Sequence, residues 1–343
     1  MTPRELVQAT LEFDRPERIP RQIWTLPWAT EYYGGEVDRL RRDYPDDITT
    51  APENLAKQTI ARGNAYRVVT YVDEWGAIFT QASDGIIGEV KEPIVTDSDW
   101  QDTSRIHIPV ERLTFDRDAV NAWCRETDTF VLSPNPARPF ERLQFLRGTE
   151  DLYIDLLSMP AGLKRFIGRM HAFACEMVEA WSHTDVDGIT FMDDWGAQQS
   201  LLINPELWRS VFRPLYRDYI DIAHAHGKRA FMHSDGHTLA IYPDLIELGL
   251  DALNSQLFCM GLDAVSEYAG RITFWGEIDR QHLLVNAAEP EVRGAVRAVH
   301  DALYRSGGCI AQCEFGAGAK LENVRAVFDE WNKVDSRSDA SRS

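Results

Sequence analysis

His233 and Asp235 stand one residue apart at the end of the apolar run 230–232, and Cys313 stands at the end of another, 309–312. Imidazole, carboxylate and thiolate drawn to one point, with a fourth position open, make the ligand set of a catalytic zinc ion. His237 is an alternative ligand, and a hydrogen-bonded His233–Asp235 pair is the reading without metal. Asp193 and Asp194 follow the run 189–192, and Glu277 and Asp279 follow the run 272–275. Two adjacent acids at a strand end face different ways, so one reaches a site while its neighbour caps the next element. A carboxylate buried near a second acid has its pKa raised and can act as a general acid near neutrality. Asp193 and Glu277 are the candidates for that role.

These residues serve one site only if the chain brings four distant segments together. Each run is too short for a helix, is rich in β-branched or aromatic residues, and is separated from the next by a helix-length segment. That is the pattern of buried parallel strands joined by crossovers. Parallel strands end on one face, and the polar ends continue to the last strand, which favours a closed barrel over a doubly wound open sheet. The fold expected is α/β, a single (β/α)8 TIM barrel over residues 1–334. A first helix is expected at 3–12 and the first barrel strand at 22–26. A small β-hairpin insertion, marked by Asp84-Gly85, is expected near 66–95, and the barrel resumes at 129–133. Helical spacing fills 160–183, Pro205 follows the N-cap Asn204, and Gly227 closes the next helix. Tryptophans near strand ends, among them Trp24, Trp195 and Trp275, are candidates for the aromatic wall of a pocket. Residues 335–343 contain no apolar side chain larger than alanine and read as a disordered tail.

The chain has 343 residues, a hydrophobic fraction of 44% and a formal charge of -18. Such acidity repels nucleic acid and anionic membrane surfaces, so neither is expected as a partner. No export signal opens the sequence, and no apolar run approaches the roughly 18 residues of a membrane span. A cytoplasmic protein is expected. Five scattered cysteines do not suit a disulfide framework. A homodimer is compatible with the chain, although no motif specifies one.

The segments 14–20, 72–76, 191–196, 233–236, 274–279 and 321–324 together resemble the uroporphyrinogen decarboxylase superfamily of single (β/α)8 barrels, which includes corrinoid-linked methyltransferases. True uroporphyrinogen decarboxylases carry Met-Arg-Gln-Ala-Gly-Arg after the first strand, where this chain has Thr25-Leu26-Pro27-Trp28-Ala29-Thr30. Without those two guanidinium groups a substrate bearing many carboxylates loses its charge partners. The methyltransferase branch binds zinc through His-x-Cys and a distant Cys, and His233 and Cys313 match the first and third ligands. Asp235 stands where that branch has cysteine. The resemblance thus implies zinc on His233, Asp235 and Cys313, with Asp193 and Glu277 as acid-base candidates. It also implies a small methylated substrate and a corrinoid carried by a separate protein, since the segment 221–227 misses the corrinoid-binding Asp-x-His-x-x-Gly spacing by one place. Trp24, Asp194, Trp195, Asn254 and Asp279 are the candidates for substrate contact. The alternative is a cofactor-free decarboxylase of a smaller carboxylated substrate, with Asp47 or Asp193 stabilising a developing cation.

Overall fold

The computed structural model describes residues 1–81, 84–85 and 88–340. Eight parallel strands form the barrel: β1 (Arg21–Thr25), β2 (Ile48–Thr50), β6 (Phe130–Leu132), β7 (Gly188–Met192), β8 (Arg229–Ser234), β9 (Ala252–Ser255), β10 (Thr273–Trp275) and β11 (Cys309–Phe315). Their spatial order is β1-β11-β10-β9-β8-β7-β6-β2. Between β2 and β6 the chain makes a three-stranded antiparallel sheet, β3 (Tyr71–Val72), β4 (Ile78–Thr80) and β5 (Glu89–Val90), where a hairpin was expected. The Asp84-Gly85 turn lies between β4 and β5, with Gly85 at a φ of 81°. Residues 82, 83, 86 and 87 of the expected insertion lie outside the described residues.

Strand alternation sorts every barrel residue into one of two layers. Ile48, Phe130, Leu132, Phe231, Ala252, Trp275 and Ile310 pack inside the barrel. Val131, Ile189, Phe191, Met232, Leu253, Phe274, Cys309, Ala311 and Cys313 pack outward, beneath the surrounding helices. The barrel closes between β1 and β2 largely by side chains. Asp46 Oδ1 accepts from Ile23 N at 2.6 Å, Asp47 Oδ2 from Arg21 N at 2.8 Å, and Gln22 Nε2 donates to the Ile48 carbonyl at 3.2 Å. A single backbone bond, Asp47 N to the Arg21 carbonyl, accompanies them among the described residues.

β2 was not expected, since three residues carry too little pattern to be read as a strand. The expected helices appear at Pro3–Leu11 and Ala161–Ser182. The last helix runs Leu321–Ala340, into the segment read as a disordered tail from 335, and no proline or glycine follows Leu321 to stop it. Residues 341–343 of that segment lie outside the described residues. The five cysteines are free. No helix among the described residues is long and apolar enough to cross a membrane.

Candidate active site

At the C-terminal ends of β7 and β8 two glycines let the loops touch. Gly236, at a φ of 77°, packs so closely on Gly196 that a Cβ would lie 2.1 Å from the Gly196 carbonyl oxygen. Gly196 N donates to the Asp235 carbonyl at 3.0 Å, and Asp235 N to Asp194 Oδ1 at 3.1 Å. This contact brings Asp194, His233 and Asp235 together, with one ligand atom of each within 4.8 Å of the others. His233 Nε2 lies 3.6 Å from Asp194 Oδ1 and 3.6 Å from Asp235 Oδ1.

The imidazole is held from behind. Asn254 donates its amide to the Trp275 carbonyl, so its Oδ1 must be the acceptor for His233 Nδ1, 2.6 Å away. A proton on Nδ1 leaves the Nε2 lone pair facing the two carboxylates, the orientation that an outer partner imposes on a ligating histidine. Trp24 packs against His233 with ring centroids 5.2 Å apart. Gln22 Oε1 accepts from the indoles of both Trp24 and Trp275, at 3.0 and 2.9 Å, and so fixes the floor.

Arg280 is the hub of the remaining charge. It donates to Asp235 Oδ2, and its Nη1 lies 3.3 Å from Glu277 Oε2 and 3.2 Å from Glu314 Oε2. Burial works against the guanidinium charge, but Glu277, Asp235 and Glu314 outweigh it and hold the pKa above the ordinary arginine value. Glu277 is 2% exposed. Burial, opposed by Arg280 and reinforced by Asp235 and Glu314, pushes its pKa well above the usual carboxylate range. Burial also raises Glu314, with Arg280 opposing. Two cavities open at this end of the barrel. One, of about 220 Å³, is lined by Glu277, Asp279, Arg280 and Gln256. The other, of about 430 Å³, is lined by Met192, Asn135, Arg138 and Trp75.

Several expected residues are placed elsewhere. Cys313 faces the outer layer with Cys309 and Ala311, while Glu314 faces the mouth. Burial pushes the Cys313 thiol far above its ordinary pKa, and the structure does not bring it to His233 and Asp235. Asp193 also points outward. It is fully buried and accepts from Phe140 N, Glu141 N and Tyr216 Oη at 2.8, 2.8 and 2.6 Å, capping the helix Pro139–Arg147. Burial raises its pKa to about 7 against the pull of those donors. Trp195 is buried against Phe140, with centroids 4.2 Å apart, and donates to Tyr216 Oη. Asp47 precedes β2, at the end of the barrel opposite the mouth, where Arg18 holds it through Nη1 and Nη2. Asp279 accepts from Gln281 N and His282 N and rims the smaller cavity. His237 stays outside the ligand cluster. Arg280 and Glu314 were not among the expected site residues. Counting alternate positions along β11 would have found Glu314, but nothing local distinguishes Arg280.

A family model described as uroporphyrinogen decarboxylase (URO-D) matches residues 2–334. Among solved structures, a methyltransferase from Methanosarcina mazei matches with a TM-score of 0.71 and 12% identity, over 97% of this chain and 99% of that one. A glycosylated endo-β-1,4-xylanase from Gloeophyllum trabeum matches with a TM-score of 0.46 and 10% identity, over 92% of this chain and 98% of that one. Comparison with curated proteins returns no match. At 12% identity the Methanosarcina match establishes the barrel fold alone. The family match is of another kind, because it follows the sequence itself through every barrel strand, and on that ground the chain belongs to the uroporphyrinogen decarboxylase (URO-D) family.

Proposed function

We propose that this family member is a metal-dependent enzyme that moves a methyl group between a small substrate at the barrel mouth and an acceptor, either a corrinoid held by a separate protein or a thiol. The observation that carries the reading is the convergence of His233 Nε2, Asp194 Oδ1 and Asp235 Oδ1. Asp235 Oδ1 is buried without a hydrogen-bond partner, which a cation between the three groups would satisfy. Charge favours the same occupant, since Asp194, Asp235 and Glu314 outnumber Arg280 there without counting Glu277. One imidazole and two carboxylates suit zinc and other divalent first-row ions. Bound there, the ion would supply Lewis acidity toward a substrate heteroatom.

The chain's own groups do the rest. Glu277, whose pKa burial raises against the pull of Arg280, stands at the wall of the smaller cavity and serves as the acid for a departing heteroatom. Arg280 fixes Asp235 and Glu314. Trp24 covers the imidazole and keeps water from that face. Methyl transfer is supported by the family and by the activity named for the Methanosarcina protein. Cofactor-free decarboxylation is the second reading. It is favoured by Glu277, whose pKa burial raises, beside Arg280, a pair placed to deliver a proton to the carbanion left by loss of carbon dioxide.

Elemental analysis of tag-free protein beside His233→Ala and Asp194→Asn tests the leading reading, followed by assay of methyl exchange with a methylated corrinoid protein. The expected result is about one metal equivalent lost in both variants. Equal metal content in all three proteins, with carbon dioxide released by metal-free enzyme, would replace it with the second reading.

A further inference from the structure

The helix Ala161–Ser182 carries His171, Cys175 and Glu179, and His183 follows at its C-cap, each four residues after the last. Side chains at this spacing share one helix face. At its C-terminal end the stripe meets His226, the C-cap of the neighbouring helix Arg213–Ala225. Glu179 Oε1 lies 3.0 Å from His183 Nε2 and 3.0 Å from His226 Nε2. The two imidazole centroids are 4.4 Å apart with the rings inclined at 67°. These helices lead into β7 and β8, so their C-termini lie at the strand starts, opposite the mouth.

We propose that Glu179, His183 and His226 form a second metal site, for zinc or a similar divalent transition ion, at the closed end of the barrel. Two imidazoles and a carboxylate are a donor set such ions favour. The three ligand atoms already lie within 4.8 Å of one another, and the oxygen sits between both nitrogens. Glu179 and His183 are preset by one helical turn, and His226 arrives from the second helix, so the ion crosslinks two elements. The side chains of His183 and Glu179 are 49% and 47% exposed, which leaves a coordination position open to water. The site fastens together the helices that feed β7 and β8, the strands presenting Asp194, His233 and Asp235. Binding there therefore adds directly to the stability of that pair. The cluster two turns earlier, His171, Cys175 and Asp218, is a weaker competitor. Both His171 nitrogens are engaged, by Tyr219 Oη and Asp218, and burial pushes the Cys175 thiol up to about 11.

The test is made in a His233→Ala background, so that it does not depend on metal at the mouth. Tag-free full-length protein is stripped with chelator and titrated with Zn²⁺ by calorimetry, and bound zinc is counted after gel filtration. His233→Ala is expected to bind about one equivalent and to gain at least about 2 °C in thermal midpoint at saturating zinc. Adding His226→Ala is expected to abolish both, with circular dichroism unchanged, and adding His171→Ala to leave both in place. No zinc bound by His233→Ala, or the same amount bound after His226→Ala is added, overturns the proposal.

Discussion

Asn254 and His233 are joined by a 2.6 Å hydrogen bond in which the imidazole Nδ1 donates. The amide can take no other role, because its nitrogen is already committed to the Trp275 carbonyl. One buried asparagine thus sets the tautomer of the histidine and turns Nε2 toward Asp194 and Asp235. Asn254→Ala is expected to weaken metal binding by about 10–100-fold, measured by competition with a chelator of known affinity. Asn254→Asp, which keeps an acceptor for Nδ1–H, should retain more of that affinity. Equal affinity in Asn254→Ala and wild type would show that the imidazole needs no such support.

Asp193 and Asp194 are adjacent and should separate by experiment. Asp193→Asn places an amide NH₂ among three donors, and is expected to cost about 2–3 kcal/mol of stability in urea denaturation. Asp194→Asn is expected to change stability by no more than about 0.5 kcal/mol while lowering metal affinity at least about 100-fold. Reversed effects would exchange their roles.

Cys313→Ala is expected to leave metal content unchanged and to cost about 1 kcal/mol through lost packing. Metal loss in this variant at full stability would return the thiol to the ligand set.

Asp46 gives a pH-dependent prediction. Burial, opposed by the bond from Ile23 N, raises its pKa to about 6. The folded protein therefore holds this proton more tightly than the unfolded chain, whose aspartate titrates near about 3.9. The resulting stability is complete below that value and is lost as pH rises through about 6. Asp46→Asn keeps the acceptor and removes the charge. It should stabilise by about 1–2 kcal/mol at pH 7.5, with the gain shrinking as pH falls toward 4. A gain that stays level across that range would mean that charge is not its source.

The barrel is legible in the sequence because buried parallel strands are short apolar runs with polar ends, and β7, β8, β10 and β11 have that form. His233 and Asp235 are legible for the same reason. What is lost is the side of the strand on which each polar residue lies. Cys309 reads as core, and two-residue alternation puts Cys313 on the same side, so the thiol belongs beneath the helices and Glu314 belongs to the mouth. Asp193 and Asp194 divide by the same rule. Asp47 misleads for a different reason. With β2 only three residues long, nothing local reveals that the acid stands before a strand instead of after one. Arg280 becomes visible only when three carboxylates from β8, β10 and β11 meet around it.

The seam between β1 and β2 gives the cylinder a direction of weakness. Seven of its eight junctions are backbone ladders, whereas this one is a clasp of Asp46, Asp47 and Gln22. A ladder is indifferent to which side chains it carries, but a clasp is written in them. The circle is therefore closed by three replaceable side chains and a single backbone bond, and one of those side chains, Gln22, also holds the two indoles under His233, so loosening the hoop and tilting the floor of the site are a single event.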